Sequence, residues 1–235
     1  MDRELMGRVA EVDWTLYVAT DSQLVAEDAL AEVVEAALRG GAGVIQYREK
    51  QADTRRMVRV ARDLSRVCRR RGVVFLVNDR LDVALAVEAD GVHLGQQDMP
   101  VALARQLLGP DKLIGVSVQN ARAMAEAEKE GADYVSLSPV FATSTKPDHE
   151  APLGLEGVRT LAGASRLPVV AIGGINRTNV AEVIRAGVQG VCVISAVLTA
   201  PDPERAAREI YRLARAVHQE GKRAACASVK SANSV

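Results

Sequence analysis

Two acidic residues each follow a short apolar run in the first half of the chain. Val73-Val74-Phe75-Leu76-Val77 is closed by Asn78-Asp79, and Gly91-Val92-His93-Leu94 by Gly95-Gln96-Gln97-Asp98. Between the runs Leu81, Ala84 and Leu85, flanked by Val83 and Val87, make the apolar side of a short helix, so the segment reads strand, helix, strand. Such a crossover makes the strands parallel neighbours, and neighbouring strands lie about 4.8 Å apart. Asp79 and Asp98 therefore stand side by side at one end of one sheet. Two carboxylates placed so repel unless a positive charge lies between them, and Mg²⁺, a hard cation that keeps positions open for substrate phosphates, fits. The same residues also suit helix capping or turn ends.

Other chemistry-bearing residues follow other apolar runs. Gln46, Arg48 and Lys50 share a parity and point to one side while the chain stays extended. An Arg fork and a Lys point charge together suit a polyanion, although the intervening Glu49 could pair with either at a solvated strand end. Pro139-Val140-Phe141-Ala142-Thr143-Ser144-Thr145-Lys146 gathers hydroxyls and an ammonium that can grip phosphate oxygens. Gly173-Gly174 and Ile194-Ser195 fall where backbone amides and a helix N-terminus can hold a phosphate. Ser117 has no histidine near it in sequence, which argues against a Ser/His nucleophile and for a hydrogen-bond donor. His93, inside an apolar run, reads as a packed histidine, and His149 and His218 as solvent-facing. The result is a cationic grip beside a metal pair, suited to a diphosphate, and a mostly neutral grip suited to a monophosphate. Together they point to group transfer with diphosphate as the leaving group.

The elements that must position these residues recur along the chain. Strands are expected at 14–19, 44–48, 73–77, 91–94, 113–117, 134–137, 168–172 and 191–194, each followed by a helical segment of 3.6-residue period. Asp21-Ser22 supplies helix-start chemistry after the first strand, and the last helix is expected around 206–217. That is the count of a (β/α)₈ TIM barrel, a single α/β domain, with a doubly wound open sheet as the rival. Residues 1–13 read as an N-terminal arm, 14–218 as the catalytic barrel and 219–235 as a disordered tail with little to bury. Thirty basic and thirty acidic residues balance, giving no sign of a nucleic-acid or membrane partner. Three cysteines without paired spacing read as free thiols. With no signal peptide or membrane helix expected, the protein is placed in the cytoplasm. The sequence leaves a homo-oligomer open.

The motifs then support a resemblance. Gln46-Tyr47-Arg48-Glu49-Lys50, Val77-Asn78-Asp79, Gly91 through Asp98, Gly115-Val116-Ser117, Ser138 through Lys146, Ala171-Ile172-Gly173-Gly174-Ile175 and Val193-Ile194-Ser195-Ala196 occur in order, and the chain resembles the thiamine phosphate synthases from about Thr15 to Arg215. The resemblance implies that an aminopyrimidine methyl diphosphate and a thiazole ethyl phosphate, or its carboxylated form, join to give thiamine phosphate and diphosphate. It implies Asp79 and Asp98 as Mg²⁺ ligands. It assigns Gln46, Tyr47, Arg48, Glu49, Lys50, Asn78, Ser117 and Lys146 to the pyrimidine diphosphate. Of these, Arg48, Lys50, Ser117 and Lys146 are the catalytic group. Thr143, Ser144, Thr145, Gly174, Ile194 and Ser195 fall to the thiazole phosphate. The chemistry it implies is dissociative, with diphosphate departing before the thiazole nitrogen attacks. Gln119 stands where many relatives carry a histidine; related thiazole tautomerases are thought to move protons with a histidine there, so its absence favours the synthase over a tautomerase. A non-catalytic thiazole phosphate-binding barrel is a further alternative.

Overall fold

The computed structural model describes residues 9, 11–143 and 151–232, with side chains as far as residue 223. Its centre is a closed ring of parallel strands in sequence order: β1 (Leu16–Ala19), β2 (Val44–Tyr47), β3 (Val74–Asn78), β4 (Gly91–Leu94), β5 (Leu113–Val118), β6 (Tyr134–Leu137), β7 (Val169–Ile172) and β8 (Gly190–Val193). β1 pairs with both β2 and β8, so the sheet closes and the open-sheet alternative is removed. Around it run α1 (Glu27–Arg39), α2 (Thr54–Arg71), α3 (Leu81–Ala86), α4 (Val101–Leu108), α5 (Ala121–Glu130), α6 (Gly154–Ala164), α7 (Val180–Arg185), the short α8 (Ser195–Leu198) and the long α9 (Pro203–Ala232).

Strand alternation divides the core in two. Outward-facing residues such as Leu16, Val18, Ile45, Val77 and Val92 pack beneath the helices, whereas Trp14, Tyr17, Val44, Leu76, Leu113, Tyr134 and Cys192 fill the barrel interior. α2 is typical of the outer layer: Asp53 caps it by accepting from the Arg56 amide, and Met57, Val60, Ala61, Leu64, Val67 and Cys68 form its buried stripe. Inside, the Tyr134 ring fills the space that a side chain at position 115 would need. A Cβ on Gly115 would fall 2.0 Å from the Tyr134 ring carbon Cζ.

Three boundaries differ from expectation. The first helix begins at Glu27, not at Asp21, because Asp21 instead organises a turn through the Gln23 amide. After β8 comes the short α8, which has too few residues to show a period. The last helix continues past residue 217 to Ala232, and its residues Gln219 to Arg223 are exposed. Among the described residues no helix is long and apolar enough to cross a membrane.

Candidate active site

Because all strands run in one direction, every residue just past a strand's end emerges on the same rim. Arg48 and Lys50 follow β2, Asp79 follows β3 and Asp98 lies in the turn after β4. Lys50 Nζ lies 2.5 Å from Asp79 Oδ2, and Asp79 adopts a left-handed backbone with φ of 61°. The Asp79 amide donates to the His93 carbonyl at 2.9 Å, which ties the residue to the neighbouring strand. Asp98 accepts from the Gly95 amide at 2.6 Å. Its carboxyl is held above the usual carboxylate range by burial and by the Asp79 carboxylate beside it, with Lys50 acting in the opposite direction. The two acids thus crowd one another, and a divalent cation with oxygen ligands would relieve that crowding, so the donor set fits Mg²⁺.

Arg48 is held by an acid the sequence analysis took for a helix start. Asp21 Oδ2 lies 2.6 Å from Arg48 Nη1, and Asp21 itself is buried. The Arg48 amide also donates to Thr20 Oγ1 at 3.0 Å. Glu49 pairs with neither Arg48 nor Lys50. Burial would raise its carboxyl, but hydrogen bonds led by the Gln51 amide, with Ser22 and the Ala52 amide, bring it below the usual range. Tyr47 departs from expectation. Strand parity turns it to the outer layer, where it is buried against the helices and its phenol is pushed upward by burial, so only its backbone is near the rim. Gln46, one residue earlier, points into the barrel and donates through Nε2 to Tyr17 Oη at 2.6 Å. Asn78 ends β3 and is buried beside the acids.

Ser117 does have a histidine beside it. His93 pairs in register with Gly115, so Ser117, two residues further along β5, shares its inward face, and His93 Nε2 lies 2.9 Å from Ser117 Oγ. Sequence distance hid a pair made by adjacent strands. It is not a nucleophile–base pair of the triad kind, because His93 Nδ1 meets the neutral Tyr134 phenol at 2.8 Å and not a carboxylate that would stabilise an imidazolium.

The other half of the rim is built differently. Gly173 and Gly174 follow β7 with φ of 109° and 64°, a left-handed backbone that glycine adopts without strain. The chain after β6 lies against them, with Phe141 N donating to Gly173 O at 3.1 Å. A Cβ on Gly174 would fall 2.8 Å from the Ala142 oxygen. Ser138, Thr143, Gly173, Gly174, Ile194 and Ser195 line a cavity of about 370 Å³ whose lining bears no charged side chain among the described residues. Ser195 opens α8, whose first amides have no partners within the helix. Ser144, Thr145, Lys146 and His149 lie outside the described residues. A larger hollow of about 640 Å³ at the opposite rim is lined by Glu11, Asp13, Asp90 and Asp111 with Lys112, and that excess of acids is ill suited to a polyanion.

A cluster of Arg48, Lys50, Asp79 and Asp98 and a cavity lined by hydroxyls and backbone therefore share one rim. A model of the family described as thiamine monophosphate synthase matches residues 16–197. The chain belongs to that family. It is 54% identical over 202 residues to the thiamine-phosphate synthase of Chloroflexus aurantiacus, covering 86% of this chain and 93% of that one. It is 51% identical to that of Laribacter hongkongensis, covering 86% and 96%. A solved thiamine phosphate pyrophosphorylase from Pyrococcus furiosus superposes with a TM-score of 0.80 at 44% identity, covering 88% of this chain and 98% of that one. A 3-hexulose-6-phosphate synthase at 19% identity and a TM-score of 0.62 shares the fold alone. Tyr17, Thr20, Asp21 and Tyr134, which the sequence did not single out for the site, contact Gln46, Arg48 and His93 within it. For Tyr17 and Tyr134 the available signal was inward strand parity, and for Asp21 an acid placed after β1 as Asp79 is after β3.

Proposed function

We propose that this chain is a thiamine-phosphate synthase that joins an aminopyrimidine methyl diphosphate to a thiazole ethyl phosphate and releases diphosphate. The observation that carries the proposal is the grouping of Arg48, Lys50, Asp79 and Asp98 on the rim of β2 to β4, facing across the ring the cavity of β6 to β8, whose described lining is uncharged. In an eight-strand ring these are opposite sides, so the two substrates approach one another over the barrel mouth.

Asp79 and Asp98 would hold Mg²⁺, which when bound neutralises charge growing on the departing diphosphate. Arg48 is fixed by Asp21 through one nitrogen and keeps its other donors for phosphate oxygens. Lys50 brings a mobile ammonium to the same oxygens, and Lys146 joins it by the family resemblance. An ionisation assisted in this way needs electrostatic complementarity at the leaving group and no protein nucleophile. That accords with a Ser117–His93 pair whose other ring nitrogen meets the Tyr134 phenol. On the other side, Thr143, Gly174, Ile194 and Ser195 hold the thiazole phosphate with hydroxyls and amides. That contact contributes binding and orientation without placing positive charge beside the forming carbocation.

Incubation with both substrates and Mg²⁺, followed for thiamine phosphate and diphosphate in equal amounts, tests the reading. A thiazole tautomerase would rearrange the carboxylated thiazole and release no diphosphate. Tight binding of both substrates without turnover would favour a binding protein instead.

A further inference from the structure

A chain of buried hydrogen bonds runs through the barrel between two residues of the pyrimidine side. Gln46 Nε2 donates to Tyr17 Oη at 2.6 Å, Tyr17 Oη lies 3.0 Å from Tyr134 Oη, Tyr134 Oη lies 2.8 Å from His93 Nδ1, and His93 Nε2 lies 2.9 Å from Ser117 Oγ. It crosses from β2 through β1, β6 and β4 to β5. Tyr17 and Tyr134 are fully buried, and burial pushes both phenols far above their ordinary range, so each keeps its single hydrogen.

One hydrogen per phenol makes the chain's direction all or none. With Gln46 donating to Tyr17, the Tyr17 hydrogen goes to Tyr134, and the Tyr134 hydrogen goes to His93 Nδ1. An imidazole that accepts at Nδ1 carries its hydrogen on Nε2, so His93 donates to Ser117 and the Ser117 hydrogen is left to point away. At the other end one N–H of the Gln46 amide is taken by Tyr17, which fixes which way round the amide sits, while its oxygen makes no hydrogen bond among the described residues. We propose that this buried chain sets the hydrogen-bonding sense of the pyrimidine site: Gln46 presents an acceptor, Ser117 presents a donor, and Tyr17, Tyr134 and His93 are the positioning residues. This rests on the synthase reading and deepens it. The site takes a ring bearing a hydrogen-donating amino group and rejects its isostere in which a carbonyl oxygen replaces that group, because two acceptors would then face each other in a dry site.

The test compares the monophosphates of the 4-amino pyrimidine and its 4-oxo analogue as competitive inhibitors, since neither carries the diphosphate leaving group. The unaltered protein is expected to bind the amino form at least about tenfold more tightly. Tyr17→Phe frees the Gln46 amide to turn over and lowers that preference by about tenfold. Tyr134→Phe does the same, although Tyr134 does not touch Gln46, because Tyr17 then loses its acceptor and turns its hydrogen onto the amide. The preference is a ratio within one preparation, so a smaller folded fraction does not alter it. An unchanged ratio in both variants, or a native preference for the oxo form, overturns the proposal while normal synthase turnover leaves the parent reading standing. Failure of the unaltered protein to make thiamine phosphate would sink the parent reading and this one with it.

Discussion

Replacing Asp98 by asparagine separates stability from activity by sign. The amide keeps an oxygen for the Gly95 N–H, which Asp98 holds at 2.6 Å, so the turn after β4 retains its closure. What is lost is one of two crowded negative charges. Burial and the neighbouring Asp79 hold the Asp98 carboxyl above its ordinary range, which means the folded, metal-free protein tolerates that charge poorly. Removing it should therefore stabilise the metal-free fold. The gain is on the order of 1 kcal/mol or less, because the pair is partly open to water and Lys50 already offsets some of the repulsion. Activity should move the other way. Losing one group that stabilises the departing diphosphate costs about 10²–10³ in turnover, or roughly 3–4 kcal/mol of barrier. Urea unfolding in chelator gives the first quantity and diphosphate release the second. Added Mg²⁺ and diphosphate should raise the melting temperature of the parent and leave the variant nearly unmoved. Native turnover in Asp98→Asn, or clear destabilisation in chelator, would refute the assignment of these two acids to a shared cation.

Other consequences lie away from the rim. Arg105 donates to Asp133 Oδ2 at 2.6 Å and to the carbonyls of Gly109, Lys112 and Gly131, and Asp133 is 2% exposed. Arg105→Ala should cost about 3–5 kcal/mol at pH 7 by leaving that acid buried without its counter-charge. Burial already holds Asp133 above its ordinary value of 3.8. The folded state therefore binds this proton more tightly than the unfolded one, so stability falls as pH rises from about 3.8 through the raised value. Losing Arg105 lifts the folded value further, so the variant's penalty should grow as pH rises from the acid range toward neutrality in urea titrations. A penalty independent of pH would argue against it. Gly115→Ala, with its Cβ 2.0 Å from Tyr134, should lower stability by about 3 kcal/mol or more and change the fluorescence of Trp14, whose ring centroid is 4.5 Å from that of Tyr134. Burial, with Asp90 nearby, pushes the Cys68 thiol up to about 12, and burial raises Cys192 as well. An alkylating reagent at neutral pH should spare both until the protein unfolds, as mass spectrometry of the labelled chain would show.

The barrel was readable because its signals are local. Each strand is a short apolar run and each helix an amphipathic stripe, and a ring of parallel strands turns that alternation into a common rim without further instruction. Asp79 and Asp98 could be paired from sequence alone because a single crossover separates them. The Ser117–His93 contact could not be found the same way. It depends on register between β4 and β5, and a shift of one residue would have sent either side chain to the other face. Tyr47 was misplaced for the complementary reason. The run Gln46 to Lys50 reads as one motif, but strand alternation sends its second residue to the helix layer. Asp21 was read as a helix start because aspartate caps helices, yet a turn intervenes and the acid orients Arg48 instead.

The interior polar chain also bears on why the site is split as it is. A barrel this size is filled by side chains, and a filling of aliphatic residues would pack at least as well as two phenols and an imidazole. Tyr17, Tyr134 and His93 each carry polar atoms that must find partners once buried, and they find them in one another and in Gln46 and Ser117. The chain ends at Gln46 and Ser117, the two members that the proposed pyrimidine site would use. The packed centre of the fold thereby supports two candidate site residues on separate strands. The cavity of β6 to β8 is built instead on the tight approach of residues 139–142 to Gly173 and Gly174. A substitution deep in the barrel should therefore disturb pyrimidine recognition before it disturbs the phosphate grip, and one at Gly174 should do the reverse. Comparing the two substrates' KM values in Tyr134→Phe and Gly174→Ala would expose a barrel whose halves are not supported separately, since both values would then rise together.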